Sequence, residues 1–88
     1  MNDELRAAVE RLFAICLGVT LAGKHHAFMR YDGPWQTVEV DLHPADDDYA
    51  KAPKPLICDR VRLSEPMAIG HVKDLADRIS VYLLEDAA

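Results

Sequence analysis

Hydrophobic residues recur at helical spacing in the first part of the chain. The stripe consists of Leu5, Val9, Leu12, Phe13, Cys16 and Thr20. Asn2 is a favourable N-cap, and Gly23 is a favourable residue for ending the helix in a left-handed conformation. No charged residue occurs from position 13 to 23, so we expect this half of the helix to be covered on nearly every side.

The next two segments alternate between apolar and polar residues and predict a β-hairpin. Residues 25–31 and 35–42 have the composition of strands, and the Asp-Gly-Pro sequence between them is typical of a turn. Because proline has no N–H to close a two-residue turn, we predict a longer loop, from 32 to 35. That loop would place Met29 opposite Val38.

The second strand has one apolar and one polar face, as in a sheet that is wet on one side. Its inward residues are Val38, Val40 and Leu42, and its outward residues are Thr37, Glu39 and Asp41.

Residues 43–55 hold three prolines and predict a linker. Residues 56–63 predict a third strand, in which Asp59 interrupts the apolar face. A bulge, an edge position or an ion pair would each explain this aspartate.

A second amphipathic helix follows the third strand. Ser64, Glu65 and Pro66 are typical of a helix start. The apolar stripe after them consists of Ile69, Val72, Leu75, Ala76, Ile79, Tyr82 and Leu83. The order is α-β-β-β-α, and a three-stranded, mostly antiparallel sheet with two helices on one face would bury every stripe. We therefore predict one α+β domain over residues 1–88; the alternative is two chains that share a larger core.

The chain is acidic, with a formal net charge of −5. Direct binding to nucleic acid or to acidic membranes is disfavoured, because both depend on Lys and Arg. A protein with a basic surface is the easier partner. Cys16 and Cys58 lie in a predicted helix and a predicted strand and are interpreted as buried free thiols. The N-terminal stretch lacks the positive charge of a secretory signal, and its apolar run is too short to span a bilayer, so we expect a cytoplasmic location.

The sequence contains no recognisable catalytic, cofactor or metal motif, and we predict neither an enzyme nor a cofactor. The four histidines lack the ligand spacing of zinc sites. His43, near Asp41 and Asp46, is the best remaining metal candidate, and a small metal-dependent enzyme around it is one alternative. The run from Asp46 to Asp48 lacks the alternating ligands and the glycine of an EF-hand loop.

Two surfaces are candidates for binding another protein. The first is acidic and includes an aromatic residue of the kind enriched in interfaces. It consists of Glu39, Asp41, Asp46, Asp47, Asp48 and Tyr49. The second is the polar face of the sheet, which combines aromatic and guanidinium groups and could support a homodimer. It consists of Phe28, Arg30, Trp35 and Arg60.

These observations favour a small acidic protein-binding module. Acidic α+β domains without motifs occur among phage and mobile-element inhibitors, including anti-CRISPR proteins, and the chain resembles them at the level of class. That resemblance implies an inhibitor that occupies a basic, nucleic-acid-binding site on a larger protein. The alternatives are a homodimeric structural or adaptor protein that uses its sheet face, and the metal-dependent enzyme around His43.

Overall fold

The computed structural model describes residues 2–87 and shows an α+β fold with the predicted order α-β-β-β-α. The elements are α1 (Asp3–Ala22), β1 (His25–Asp32), β2 (Thr37–Pro44), β3 (Ile57–Arg62) and α2 (Ala68–Ala87), with a short 3-10 helix at Tyr49–Lys51. The strands form an antiparallel sheet in the order β1-β2-β3. Both helices pack against one face of this sheet, so the predicted fold class is confirmed.

Both ends of α1 are fixed by the residues that the sequence indicated. The side chain of Asn2 accepts a hydrogen bond from the N–H of Leu5 at 2.7 Å, which satisfies one of the free donors of the first turn. Gly23 ends the helix with φ of 93° and donates its N–H to the carbonyl of Thr20. The Thr20 hydroxyl in turn accepts the N–H of Ala27 at 3.0 Å, which ties the helix to β1.

The two helices lie parallel and side by side. Lys73 contacts Glu4 at 3.3 Å near the start of both helices, and Arg11 contacts Asp77 at 2.8 Å one to two turns later. Further along, Leu83 packs over Gly18, where an added Cβ would lie 3.4 Å from its methyl carbon. The absence of a side chain at position 18 therefore lets the helices approach closely.

The hairpin register differs from the prediction by two residues. Met29 lies opposite Val40 rather than Val38, because the loop occupies positions 33–36 instead of 32–35. Gln36 adopts a left-handed conformation with φ of 49° and donates its N–H to the carbonyl of Gly33 at 3.1 Å. Since the shift is an even number of residues, every side chain keeps its predicted face.

The core lies between the sheet and the helices. The side chains that are fully buried there are Leu12, Val19, Val38, Val40, Leu42, Val61, Val72, Leu75 and Ile79. The three from β2 are the inward residues that the alternation predicted, and each such burial contributes about 1.5–3 kcal/mol. Within the described residues, neither helix is long and apolar enough to cross a membrane.

Asp59 is explained by both an edge position and an ion pair, two of the three possibilities that the sequence left open. It lies on β3, an edge strand, and faces the helices. Its Oδ2 lies 3.0 Å from His71 Nε2 and 2.6 Å from Arg78 Nη2. Burial alone would raise the pKa of this carboxyl, but the hydrogen bonds from His71 and Arg78 outweigh it and lower the pKa. The carboxylate thus attaches α2 to the sheet edge.

The second half of α1 is less covered than we predicted. Phe13, Leu17 and Leu21 are 56%, 47% and 75% exposed, and they follow one another at four-residue spacing along one side of the helix. The expectation of cover on nearly every side is therefore wrong for a single copy of the chain. The sheet and α2 reach only the side of α1 that carries Leu12 and Cys16.

A candidate interface on the outer face of the sheet

The face of the sheet that the helices leave uncovered is called the outer face below. Its middle row runs across all three strands, with Arg30 opposite Glu39 and Glu39 opposite Arg60. The next row contains Phe28, Asp41 and Cys58, in that strand order. The sequence alternation predicted these outward positions, and the structure places them together.

Glu39 is the electrostatic centre of the outer face. It forms ion pairs with Arg30 on one side and with Arg60 on the other, where the Nη2 atom lies 3.0 Å away. The hydrogen bonds from Arg60 and Arg30 lower the pKa of the Glu39 carboxyl. Opposite charges on adjacent strands stabilise a sheet as cross-strand pairs. Glu39, which was predicted to contact a basic partner, is therefore already paired with two arginines of its own domain.

Asp41 is less completely satisfied. Its Oδ2 lies 3.5 Å from Arg30 Nη2, whereas its Oδ1 is buried and has no hydrogen-bond partner among the described residues. Cys58 is exposed, and not buried as the sequence suggested. A hydrogen bond with the Asp41 carboxylate raises the pKa of its thiol, and partial desolvation of the thiol raises it further. A raised pKa keeps Cys58 protonated, and a protonated thiol is a poor nucleophile.

One end of the outer face is covered by four rings, which we call the closed end: His26, Phe28, His43 and Tyr49. Tyr49 comes from the 3-10 helix and lies with its ring centre 5.3 Å from that of Phe28 and 5.2 Å from that of His43, both edge to face. Its hydroxyl lies 3.0 Å from His26 Nδ1. Aromatic rings favour this edge-to-face geometry, so the linker folds back onto the sheet.

The aspartates beside Tyr49 have different surroundings. Asp47 Oδ2 lies 3.0 Å from His43 Nδ1. The side chain of Asp48 accepts the N–H of Ala50 at 3.1 Å and caps the 3-10 helix. Asp46 is exposed. Two of the three predicted acidic contacts therefore hold the linker in place, and Asp46 is the one that projects freely.

His43 is a packed side chain in this structure. The sequence placed it in the linker, but β2 continues to Pro44, and His43 is only 8% exposed. Its ring is enclosed by Phe28 and Tyr49, and its Nδ1 is directed at Asp47. Within residues 2–87, no three His, Cys, Asp or Glu side chains are grouped so that they could hold a metal ion.

The opposite end, at the hairpin loop, is called the open end and consists of Arg30, Tyr31, Trp35, Arg60 and Arg62. Trp35 is 66% exposed and Tyr31 is 58% exposed. These residues line a broad depression of about 970 Å³, together with Glu65 from the turn before α2 and His71 from the first turn of α2. No ring or loop of the described chain covers them, in contrast to the closed end.

The sequence identified part of the open end. Arg30, Trp35 and Arg60 were predicted for this surface, whereas Tyr31 and Arg62 were not. By the alternation of β1, Tyr31 should face the helices, as Met29 does. Tyr31 lies near the end of the strand, however, and its side chain remains exposed. Arg62 has the same parity as Arg60 on β3, but only the structure shows that Arg62 and Trp35 line one depression.

No protein family, curated protein or solved structure matches this chain at a significant level.

Proposed function

We propose that this domain is a protein-binding module that acts through the outer face of its sheet and not through catalysis. The observation that carries the proposal is the open end, where Trp35 and Tyr31 are exposed beside arginines around one broad depression. Trp, Tyr and Arg are the residues that most often contribute large binding energies at protein interfaces. Tyr31 and the arginines lie on the strands, and Trp35 lies in the hairpin loop, which a hydrogen bond from Gln36 to Gly33 closes. This arrangement favours a preorganised contact surface.

The charge of the domain supports a basic partner. Asp46 projects from the linker at the closed end, and the net charge of the chain is −5. A basic surface on a larger protein, such as a nucleic-acid-binding site, would complement this charge. An inhibitor of that kind, as phage and mobile elements encode in anti-CRISPR proteins, is the specific form of the proposal. The free state of both cysteines supports a reducing compartment such as the cytoplasm.

Capture of partners from an extract of the organism that encodes the chain tests the contact surface. The wild-type domain is compared with Trp35→Ala, Tyr31→Ala and the matched control Leu84→Ala. The control truncates an exposed apolar residue near the end of α2 that does not line the depression. Bound protein is quantified by mass spectrometry and its affinity is then measured with purified components. We expect the Trp35 and Tyr31 changes to weaken binding roughly tenfold or more. Equal retention by all variants would contradict the proposal.

The charge of the partner is tested separately with Asp46→Lys. This change leaves the His43–Asp47 contact and the Asp48 cap intact, whereas reversal of all three aspartates would also disturb the linker. Affinity for the captured partner should fall by about two- to fivefold, with a weaker dependence on salt. An unchanged affinity and salt dependence would reject a basic partner surface at this end.

A sheet-face homodimer is the second candidate, and the distribution of charge favours it. Arg60 and Arg62 lie at or near the open end, and Asp46 lies beyond the closed end. A two-fold axis between the two sheets, parallel to them and perpendicular to the strands, would place each arginine end over the acidic end of the other copy. Sedimentation of the wild type and of Trp35→Glu tests this candidate, because the added carboxylate should abolish such a dimer.

A further inference from the structure

The β1 edge of the sheet has backbone donors that no other part of the described chain uses. Ala27 directs its N–H away from β2 and donates it to the Thr20 hydroxyl of α1 at 3.0 Å. Because backbone N–H groups point alternately to the two sides of a strand, those of Met29 and Tyr31 also point away from β2. Neither of them has an acceptor among the described residues. We call the backbone of Met29 and Tyr31 the free edge.

The opposite edge of the sheet, at β3, is protected by contacts within the chain. The Asp59 carboxylate accepts the N–H of Arg60 at 2.8 Å, and the Arg62 carbonyl accepts the N–H of Glu65 at 3.2 Å. Proteins commonly protect sheet edges with charged side chains, prolines or bulges. β1 contains no proline, and its register with β2 is unbroken. The free edge therefore has the regular geometry that a further strand needs.

Phe13 lies over the free edge. Thr20 shows which side of α1 reaches the β1 edge, and Phe13 is two turns earlier on that same side, about 10 Å away along the helix. Residue 30 is about 10 Å beyond Ala27, in the same direction, because the tight connection at Gly23 and Lys24 reverses the chain. Phe13 is thus level with the free edge, and it is 56% exposed. A strand added at this edge would lie beneath the Phe13 ring.

The width of the helix layer indicates which kind of strand fits. Two helices side by side cover about 20 Å. Three strands cover only about 14 Å, and a fourth would extend the sheet to about 19 Å. The layer therefore has room beneath it for one strand that brings no helix of its own. The β1 strand of a second copy does not meet this condition, because it carries its own α1 on the same face of the sheet.

We propose that an extended segment of another protein adds to the free edge as a fourth strand. The N–H groups of Met29 and Tyr31 donate main-chain hydrogen bonds to the segment, and every second side chain of the segment packs against Phe13. The segment therefore alternates between apolar and polar residues, with the apolar ones towards α1. The contact uses the sheet edge and the bare side of α1, so it does not depend on the function proposed for the outer face.

Selection of peptides from a displayed library of random sequences, with the full chain as target, tests the proposal. The peptides are about ten residues long, the upper length of a typical strand. Enriched peptides should alternate between apolar and polar residues and should slow hydrogen exchange of the Met29 and Tyr31 amides about tenfold or more. A library that yields no binder, or binders that leave both amides unprotected, would overturn the proposal. Protection that appears without peptide and grows with protein concentration would assign the edge to a second copy and would also overturn it.

A proline substitution tests the backbone contact. Tyr31→Pro removes one donor of the free edge, and the fold should persist because an edge strand tolerates proline where the N–H faces solvent. The variant should bind a selected peptide roughly tenfold or more weakly than Tyr31→Ala, which changes the side chain and keeps the N–H. Circular dichroism verifies that both variants fold. Equal affinity of the two variants would overturn the proposal.

A charge placed over the edge tests the contact with α1. Phe13→Asp should weaken peptide binding by roughly tenfold, because the segment loses its apolar cover. Leu84→Asp is the matched control at another exposed apolar position and should leave the affinity unchanged. Trp35→Ala should also leave it unchanged, which separates this contact from the one proposed for the open end. Equal affinities of the two aspartate variants would overturn the proposal.

Discussion

The closed and open ends of the outer sheet face both carry aromatic side chains, but their surroundings differ. At the closed end, the rings of His43 and Tyr49 contact one another and Phe28. At the open end, Trp35 and Tyr31 are mainly exposed. The difference arises from the linker, which returns to the sheet at one end only. Aromatic composition alone therefore does not identify an interface; the contacts already made within the chain decide it.

Because the closed end is packed and the open end is not, we expect His43→Ala to lower the stability more than any of the other variants considered below. His43 is 8% exposed and contacts two rings and Asp47. Its removal should lower the free energy of unfolding by about 2 kcal/mol through lost packing. Urea denaturation measures the loss. His43→Phe is the control, because it keeps the ring and removes only the hydrogen bond, at about 1 kcal/mol. A loss below that of the control would show that the closed end is not held by this ring.

Tyr49→Ala should have the next largest effect. The ring is 41% exposed, so less surface is buried than for His43. Loss of its edge-to-face contacts should cost about 1 kcal/mol. Tyr49→Phe should retain most of this energy and lose only the hydroxyl contact with His26. Hydrogen exchange of the 3-10 helix gives a second readout, since its amides should exchange faster in the alanine variant than in the phenylalanine variant.

Glu39→Gln should have a smaller effect that depends on pH. The hydrogen bonds from Arg60 and Arg30 hold the pKa of Glu39 below its ordinary value of 4.5. A lowered pKa means that the ion pairs stabilise the fold above that value and are lost as the pH falls through the folded-state pKa. The variant should lose about 0.5 kcal/mol at neutral pH.

Urea midpoints of the wild type and Glu39→Gln across the acid range provide the measurement. The two curves should differ at neutral pH and converge in acid. Other carboxyls, including Asp59, titrate in both proteins and cancel in the comparison. A difference of the same size at every pH would mean that Glu39 acts through packing and not through its charge.

Trp35→Ala should have the smallest effect on stability, although it changes the largest side chain. Trp35 is 66% exposed, and only its backbone carbonyl accepts a hydrogen bond, from the Thr37 hydroxyl. We expect a change within about 0.5 kcal/mol of zero. A loss as large as that of Tyr49→Ala would show that the open end is packed like the closed end, and the proposed contact surface would then have a structural role instead.

More of the fold than of the candidate site could be predicted from local patterns in the sequence. Alternation along β2 identified Val38, Val40 and Leu42 as core residues, and Asn2 and Gly23 identified the ends of α1. The register was wrong because Gln36 adopts a left-handed conformation, which its residue type does not suggest. Each successful prediction depended on neighbours along the chain.

The candidate site depended on residues that are distant in sequence. Tyr49 reaches Phe28 and His26 across more than twenty positions, and no local pattern encodes that return of the linker. Arg60 pairs with Glu39 only because β3 lies beside β2. The sequence therefore placed acidic contacts at Glu39, Asp47 and Asp48 without revealing that each already has a partner.

The parallel pairing of α1 and α2 also has a consequence for folding on the ribosome. The contacts between Glu4 and Lys73 and between Arg11 and Asp77 join residues 69 and 66 positions apart. The helix layer over the sheet is incomplete until α2 has been synthesised. The β1–β2 hairpin is local and can form early, whereas closure of the core is a late event dominated by long-range contacts. We therefore expect a nascent chain that ends before α2 to expose the apolar side of its sheet to chaperones.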